Sequence, residues 1–204
     1  MPTSYIRFDE GTAKKVRSFQ RTDGADTVEE WMYVESEPGL AAYTVAALGI
    51  AGSAADSHTL QVMAGASLRV GIRRITIHQL AAANTTRQVR FGVYRLSTAG
   101  TGGGAITPSP LDPASAASGA TAMTLPSVKG TEGVLVGGRH FGIVQATITN
   151  QVVNPLIDVD FGLGRERALW VAAGTSNGIA IKNLVADSAA TYDVFVRFVE
   201  AGWS

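Results

Sequence analysis

Cysteine is absent from this 204-residue chain. That excludes disulfides and thiolate metal sites, and it fits synthesis in a reducing compartment. Charge is scarce. Asp, Glu, Lys and Arg make up 17% of the residues, against about 25% in an average soluble protein. The formal net charge is zero, so no strong field steers the chain to nucleic acid or to an anionic membrane. Long apolar runs are missing as well, and none approaches the roughly 18 residues of a membrane span. The opening MPTSYIRFDEGTAKKVRS lacks the apolar run of a signal peptide. A soluble protein made in a cytoplasm is expected. Amphipathic helices of ordinary length are also lacking. DPASAASGATA could hold one turn, weakened by its glycine and serines.

Apolar residues supply 46% of the chain, enough to exclude disorder and to fill one core. With so little charge, a surface meant to be covered is expected. Residues 1–38 differ from the rest, holding 13 of the 34 charged residues. Their apolar positions follow no long period, so they read as an extended N-terminal arm with short strands at Ser4–Phe8 and Glu29–Glu35. Phe8, Phe19, Trp31 and Tyr33 are its candidate anchors, on its own domain or on a neighbouring subunit.

Residues 39–204 read as strands. Leu68, Val70 and Ile72 alternate with polar or small residues. Arg73-Arg74 then shifts the phase before Ile75 and Ile77, the mark of a β-bulge. Val89, Phe91 and Val93 form a second row, and Tyr192, Val194, Val196 and Phe198 a third. Further strands are expected at 42–48, 59–63, 122–125, 142–149, 156–161, 168–172 and 178–183. Gly174–Gly178 is expected to close a hairpin. Many short strands without helices predict an all-β, jelly-roll-like β-sandwich.

One stretch raises a functional question: RLSTAGTGGGAITPSPLDP, from Arg95 to Pro113. A phosphate-binding loop needs a lysine and a helix start after its glycines. Here Ala105-Ile-Thr-Pro108 follows instead. The stretch therefore reads as part of a long Gly/Pro-rich excursion over 97–126. Its glycines would give freedom, and its prolines would hold the chain extended across another surface. Ile106, Pro108, Pro110 and Leu111 are its candidate contacts, and Trp203 is another near the chain's end.

No cofactor or metal site is expected. His58, His78 and His140 lack ligand spacing. Asp158 and Asp160 share a strand face, which could hold a hard cation, but a solvated face is the simpler reading. Arg69, Arg73, Arg87 and Arg90 would form a basic patch if they shared one sheet face. Too few aromatics interleave with them for base stacking, and protein contacts are expected instead.

The stretches HTLQVMAGASLRVGIRRITIHQLAAANTTRQVRFGVYRLSTAGTGGGAITPSPLDPASAASGATAMTLP, KGTEG and LWVAAGTSNGIAIKNLVADSAATYDVFVRFVE resemble small β-sandwich virion proteins of tailed bacteriophages and prophages. The resemblance rests on Arg95–Thr98, Thr101–Asp112, Ala114–Ala122 and Phe198–Glu200, and covers residues 57 to 200. It implies a non-enzymatic virion component, a capsid decoration (cement) protein on the head surface. Its partners would be the major capsid protein and further copies of itself in a homotrimer. A neck, tail or head-spike component is the alternative. So is a carbohydrate-binding receptor-recognition module using Asp158, Asp160 and Trp170.

Overall fold

The computed structural model describes residues 5–7, 15–23, 26–31, 40–81, 87–144, 157–161, 168–186 and 190–202. The chain divides into two compact units, residues 1–39 and 40–204. In the first, β1 (Tyr5–Arg7), β2 (Lys15–Asp23) and β3 (Asp26–Trp31) form an antiparallel sheet in the order β1-β2-β3. The short strands expected near 5 and 30 thus belong to a paired sheet. Its central and longest strand, β2, is not announced by the sequence, because KVRSFQRTD lacks an apolar alternation.

The second unit contributes β4 (Ala42–Ala51), β5 (His58–Met63), β6 (Arg69–Ala81) and β7 (Arg87–Leu96). These are followed by β8 (Gly104–Ile106), β9 (Ser109–Pro110) and β10 (Thr121–Thr124). The rest are β11 (Glu132–Val144), β12 (Ile157–Asp160), β13 (Leu169–Val171), β14 (Gly178–Asn183) and β15 (Thr191–Ala201). The front sheet runs β11-β7-β14-β5-β10-β8, and the back sheet β12-β6-β15-β4-β9, with β13 also beside β6. No helix occurs among the described residues.

The pairing order is nested. β4 pairs β15, β5 pairs β14, β6 pairs β12 and β7 pairs β11, all antiparallel. The first half of the strand series folds back on the second like a long hairpin, and that double ribbon rolls into two sheets of four. This is a jelly roll, as the strand pattern predicts. β8 and β10 extend the front sheet beyond β5, and β9 extends the back sheet beyond β4.

The three apolar rows of the sequence form the core. Val70, Ile72, Ile75 and Ile77, then Val89, Phe91 and Val93, then Tyr192, Val194, Val196 and Phe198 are all buried, while Leu68, just before β6, is only half-buried. The predicted bulge sits where expected, since Arg197 faces Arg74 while Phe198 faces Ile72, leaving Arg73 as the extra residue. It restores the inward phase for Ile75 and Ile77. Phe91 of the front sheet meets Tyr192 of the back sheet edge to face at 5.6 Å, and Tyr43 stacks on Phe198 at 5.5 Å. Burying each such side chain stabilises the fold by about 1.5–3 kcal/mol.

Two expectations are corrected. Gly174–Gly178 does not close a hairpin, because β13 belongs to the back sheet and β14 to the front. The loop crosses between sheets, with Gly174 at φ +116° and its N–H donated to the Gly65 carbonyl (2.8 Å). The strand expected at 142–149 begins ten residues earlier, at Glu132. Gly133, Gly137 and Gly138 break its apolar alternation and hide it. Residues 145–149 lie outside the described set.

Candidate functional site

The excursion is the feature that sets this unit apart from a bare eight-stranded roll. It does not leave the domain. Ile106 in β8 packs partly buried against the core, and Pro108 is buried. Pro110 in β9 lies opposite Tyr43 of β4, and the Leu111 N–H donates to the Ala42 carbonyl (2.8 Å) while its side chain is 53% exposed. The surface that the proline-stiffened chain crosses is therefore its own sandwich, at the β4 and β5 edge of both sheets. Of these loop candidates only Leu111 presents a mostly exposed side chain.

The glycines serve close approach rather than freedom. Gly102 has φ +75°, and a Cβ there would stand 2.1 Å from Ser127 Oγ. A Cβ at Gly103 would stand 2.1 Å from the Thr124 carbonyl oxygen. Outgoing chain and returning chain are pressed together here, with Thr101 and Val128 exchanging two backbone hydrogen bonds (2.9 and 3.1 Å). Only glycine allows such contact.

Two polar clusters fasten the excursion. One centres on Glu200, whose even-numbered position continues the inward row of β15 to the rim of the core. Its carboxylate is 5% exposed. It accepts hydrogen bonds from Ser118 Oγ (2.8 Å), the Ala120 N–H (2.9 Å) and the Gly119 N–H (3.3 Å). Tyr43 adds a bond from its hydroxyl to the Ala116 carbonyl (3.0 Å). Burial, with the Glu200 charge nearby, raises the Tyr43 pKa.

The other cluster lies on the outer side of the front sheet. A bulge at Thr59, between the pairs Leu60–Ile181 and His58–Lys182, turns His58 to the side that carries Gln61. His58 is 0% exposed. Gln61 Oε1 accepts the Gly100 N–H (2.8 Å), so Gln61 Nε2 is the atom that donates to His58 Nδ1 (2.5 Å). His58 Nε2 therefore carries the proton and donates to Glu132 Oε1 (3.0 Å). Lys182 Nζ donates to Glu132 Oε2 (2.9 Å) and Asp56 Oδ1 (3.1 Å), and Lys129 Nζ to Glu132 Oε1 (3.3 Å). Lys182 also stands 5.0 Å from the Tyr94 ring centroid.

Electrostatics follow from these contacts. Burial lowers the His58 pKa, outweighing the pull of Glu132 in the other direction. For Glu132, burial alone would raise the pKa, but hydrogen bonds from Lys182 and His58 together hold it below the ordinary carboxylate range. Lys182 is raised: burial opposes its charge, and the Glu132 and Asp56 carboxylates overcome that. This cluster joins Gly100, near the start of the excursion, to Glu132, the first residue of β11, through β5.

The remaining candidates separate. Asp158 is held by Arg74, whose Nε donates to Oδ1 at 2.8 Å and whose terminal nitrogen donates to Oδ2; Thr76 adds a third bond (3.3 Å). The guanidinium holds the Asp158 carboxyl below its ordinary range. Asp160 shares the exposed side of β12, and no cluster of three metal-ligating side chains occurs among the described residues. The four arginines cannot make one patch, because Arg69 and Arg73 lie on β6 of the back sheet and Arg87 and Arg90 on β7 of the front. Trp170 is no open platform. Its ring edge lies over Gly71, where a Cβ would come within 3.0 Å, and the Arg69 guanidinium sits 5.5 Å from its centroid.

In the first unit, Phe19 pairs with Glu30, and Trp31 with Ser18. Phe8, Tyr33 and Trp203 lie outside the described residues. Glu200, missed from sequence, was signalled by the parity of its strand. His58 was not, because the bulge that re-aims it has no apolar phase shift to betray it. Comparison with protein-family models, with curated proteins and with solved structures finds no match.

Proposed function

We propose that the chain is a non-enzymatic structural protein of a bacteriophage virion, a decoration protein bound to the outside of the capsid shell. The observation that carries the proposal is the nested strand order β4–β15, β5–β14, β6–β12, β7–β11. That architecture recurs in viral capsid domains, and a fold supports a function only by analogy until a surface is added. The surface is on β11, the front-sheet edge, where Val134 is 67% exposed and Ile143 61%. Apolar side chains along a sheet edge favour contact with a neighbour. The resemblance of its turn segments to phage virion proteins supports the same reading. Partners are the major capsid protein and other copies of this chain, as a trimer, and repeated copies on a lattice turn weak contacts into avidity.

Co-sedimentation tests the proposal. Purified protein mixed with shells assembled from the major capsid protein alone should pellet with them at a fixed ratio. Deleting residues 1–38 should reduce the bound amount while the sandwich stays folded. Protein that remains in the supernatant at saturating concentration contradicts the decoration role. Unchanged binding of the deletion variant contradicts the part given to the N-terminal segment.

A further inference from the structure

The geometry points to an acid-sensitive latch: protonation of His58 releases the Gly100 end of the excursion from the front sheet. This inference stands independently of the virion proposal.

The latch depends on matched donors and acceptors. The run Gly100 N–H to Gln61 Oε1, Gln61 Nε2 to His58 Nδ1, His58 Nε2 to Glu132 Oε1 is fully matched only when Nδ1 is bare. A proton on Nδ1 puts a second donor where Gln61 Nε2 already donates. If the Gln61 amide turns to offer its oxygen, Nε2 then faces the Gly100 N–H instead. Either way a buried N–H loses its acceptor, which proteins avoid. No rotation of a hydroxyl can absorb the change, since each member of the run has fixed donors. Glu132 would welcome the added charge, but its carboxylate is already shared with Lys182 from β14 and Lys129 from the loop before β11. Both ammonium groups oppose a third cation. Asp56, from the turn before β5, engages Lys182 and is 71% exposed. The lowered pKa of His58 agrees with this arrangement.

What opens is set by what holds Gly100. Gly100 is buried, with Gln61 and the Val128 carbonyl packed against the place of its missing side chain. On the same side of the sheet Met63, Leu96 and Ala180 form an apolar cluster apart from the main core. Residues 97–103 lie outside the nested strand pairs, so their release leaves those pairs in place. Histidine is the residue type whose ordinary titration range suits such a switch.

Hydrogen exchange of the full chain tests the latch. An unperturbed, solvated histidine titrates near 6.5, so protection of residues 97–103 should fall about tenfold between about pH 7.5 and pH 5.5 after correction for intrinsic rates. Strands β6 and β15 should change far less. In His58→Asn the side-chain oxygen still accepts from Gln61, and the fall should vanish. Protection that is equal at both pH values, or a fall as large in His58→Asn, overturns the proposal. Should that variant fail to fold, NMR of the native protein decides. Titration of the His58 ring must coincide with loss of protection at the Gly100 amide, and titration that leaves Gly100 protected refutes the latch.

Discussion

Replacing Glu200 tests whether the excursion is held by a buried carboxylate or merely lies near it. In Glu200→Gln the remaining oxygen can still serve Ser118 and Ala120, whose bonds are 2.8 and 2.9 Å. Both lose their charge assistance, and the new amide group faces the Gly119 N–H as donor to donor. Hydrogen bonds to a charged acceptor contribute about 1.5–3 kcal/mol each and neutral ones about 0.5–1.5, so the loss should be about 2–3 kcal/mol. Glu200→Ala removes all three bonds and leaves the buried Ala120 N–H with only Ser118 Oγ (3.1 Å) as acceptor. Since it also relieves the carboxylate's desolvation, the cost should be about 3–5 kcal/mol, typical of a broken buried polar network. Urea unfolding at neutral pH measures both. With a slope of about 2 kcal/mol per molar, the midpoint should fall by about 1 M for Gln and by about 2 M for Ala. A local readout accompanies it. Residues 96–128 contain no Lys or Arg, so trypsin is blind to the excursion, and elastase, which cuts at small residues, should cleave it faster in both variants. Losses below about 0.5 kcal/mol for both would place Glu200 among ordinary surface sites and refute the reasoning.

Other outcomes follow from the same geometry. Gly103→Ala drives a Cβ to 2.1 Å from a backbone oxygen and should cost about 2–4 kcal/mol by thermal or urea unfolding. Stability should fall with acid in two windows. His58 is held below 6.5, so the unfolded chain takes up that proton first and stability declines as pH drops through and below about 6.5; Glu132 is held below 4.5 and adds a second decline beneath it. Urea midpoints from about pH 8 to pH 4 measure this, and a flat profile contradicts it. Arg74→Ala breaks an exposed ion pair with Asp158 and should change stability by less than about 1 kcal/mol, with a smaller effect at high salt.

Much of the sandwich is legible in the sequence because its strands bury one face. Period-two rows such as Tyr192–Phe198 announce the core, and the Arg73 bulge is visible as a slip of phase. β5 is different. His58 to Met63 are buried without exception, because the excursion covers the outer side of that strand, and no alternation remains to be read. β11 is obscured by its glycines. The partnership of β13 with β6 rather than β14 is a long-range choice that local turn chemistry at Gly174 does not decide. The excursion itself misleads for a physical reason: glycine permits both freedom and close approach, and only the position of the returning chain at Thr124–Val128 distinguishes them. Of the polar groups that fasten it, Glu200 could be found by extending the β15 parity. The His58 cluster needs the bulge at Thr59, which the sequence does not mark.

The most direct test of the proposed role is the copy number of this protein in purified virions, measured by quantitative mass spectrometry against the major capsid protein. A decoration protein on the shell predicts hundreds of copies in a fixed ratio to the capsid subunit. A handful to a few dozen copies would contradict the shell position and favour a neck, tail or spike. Complete absence from particles would contradict the virion role itself.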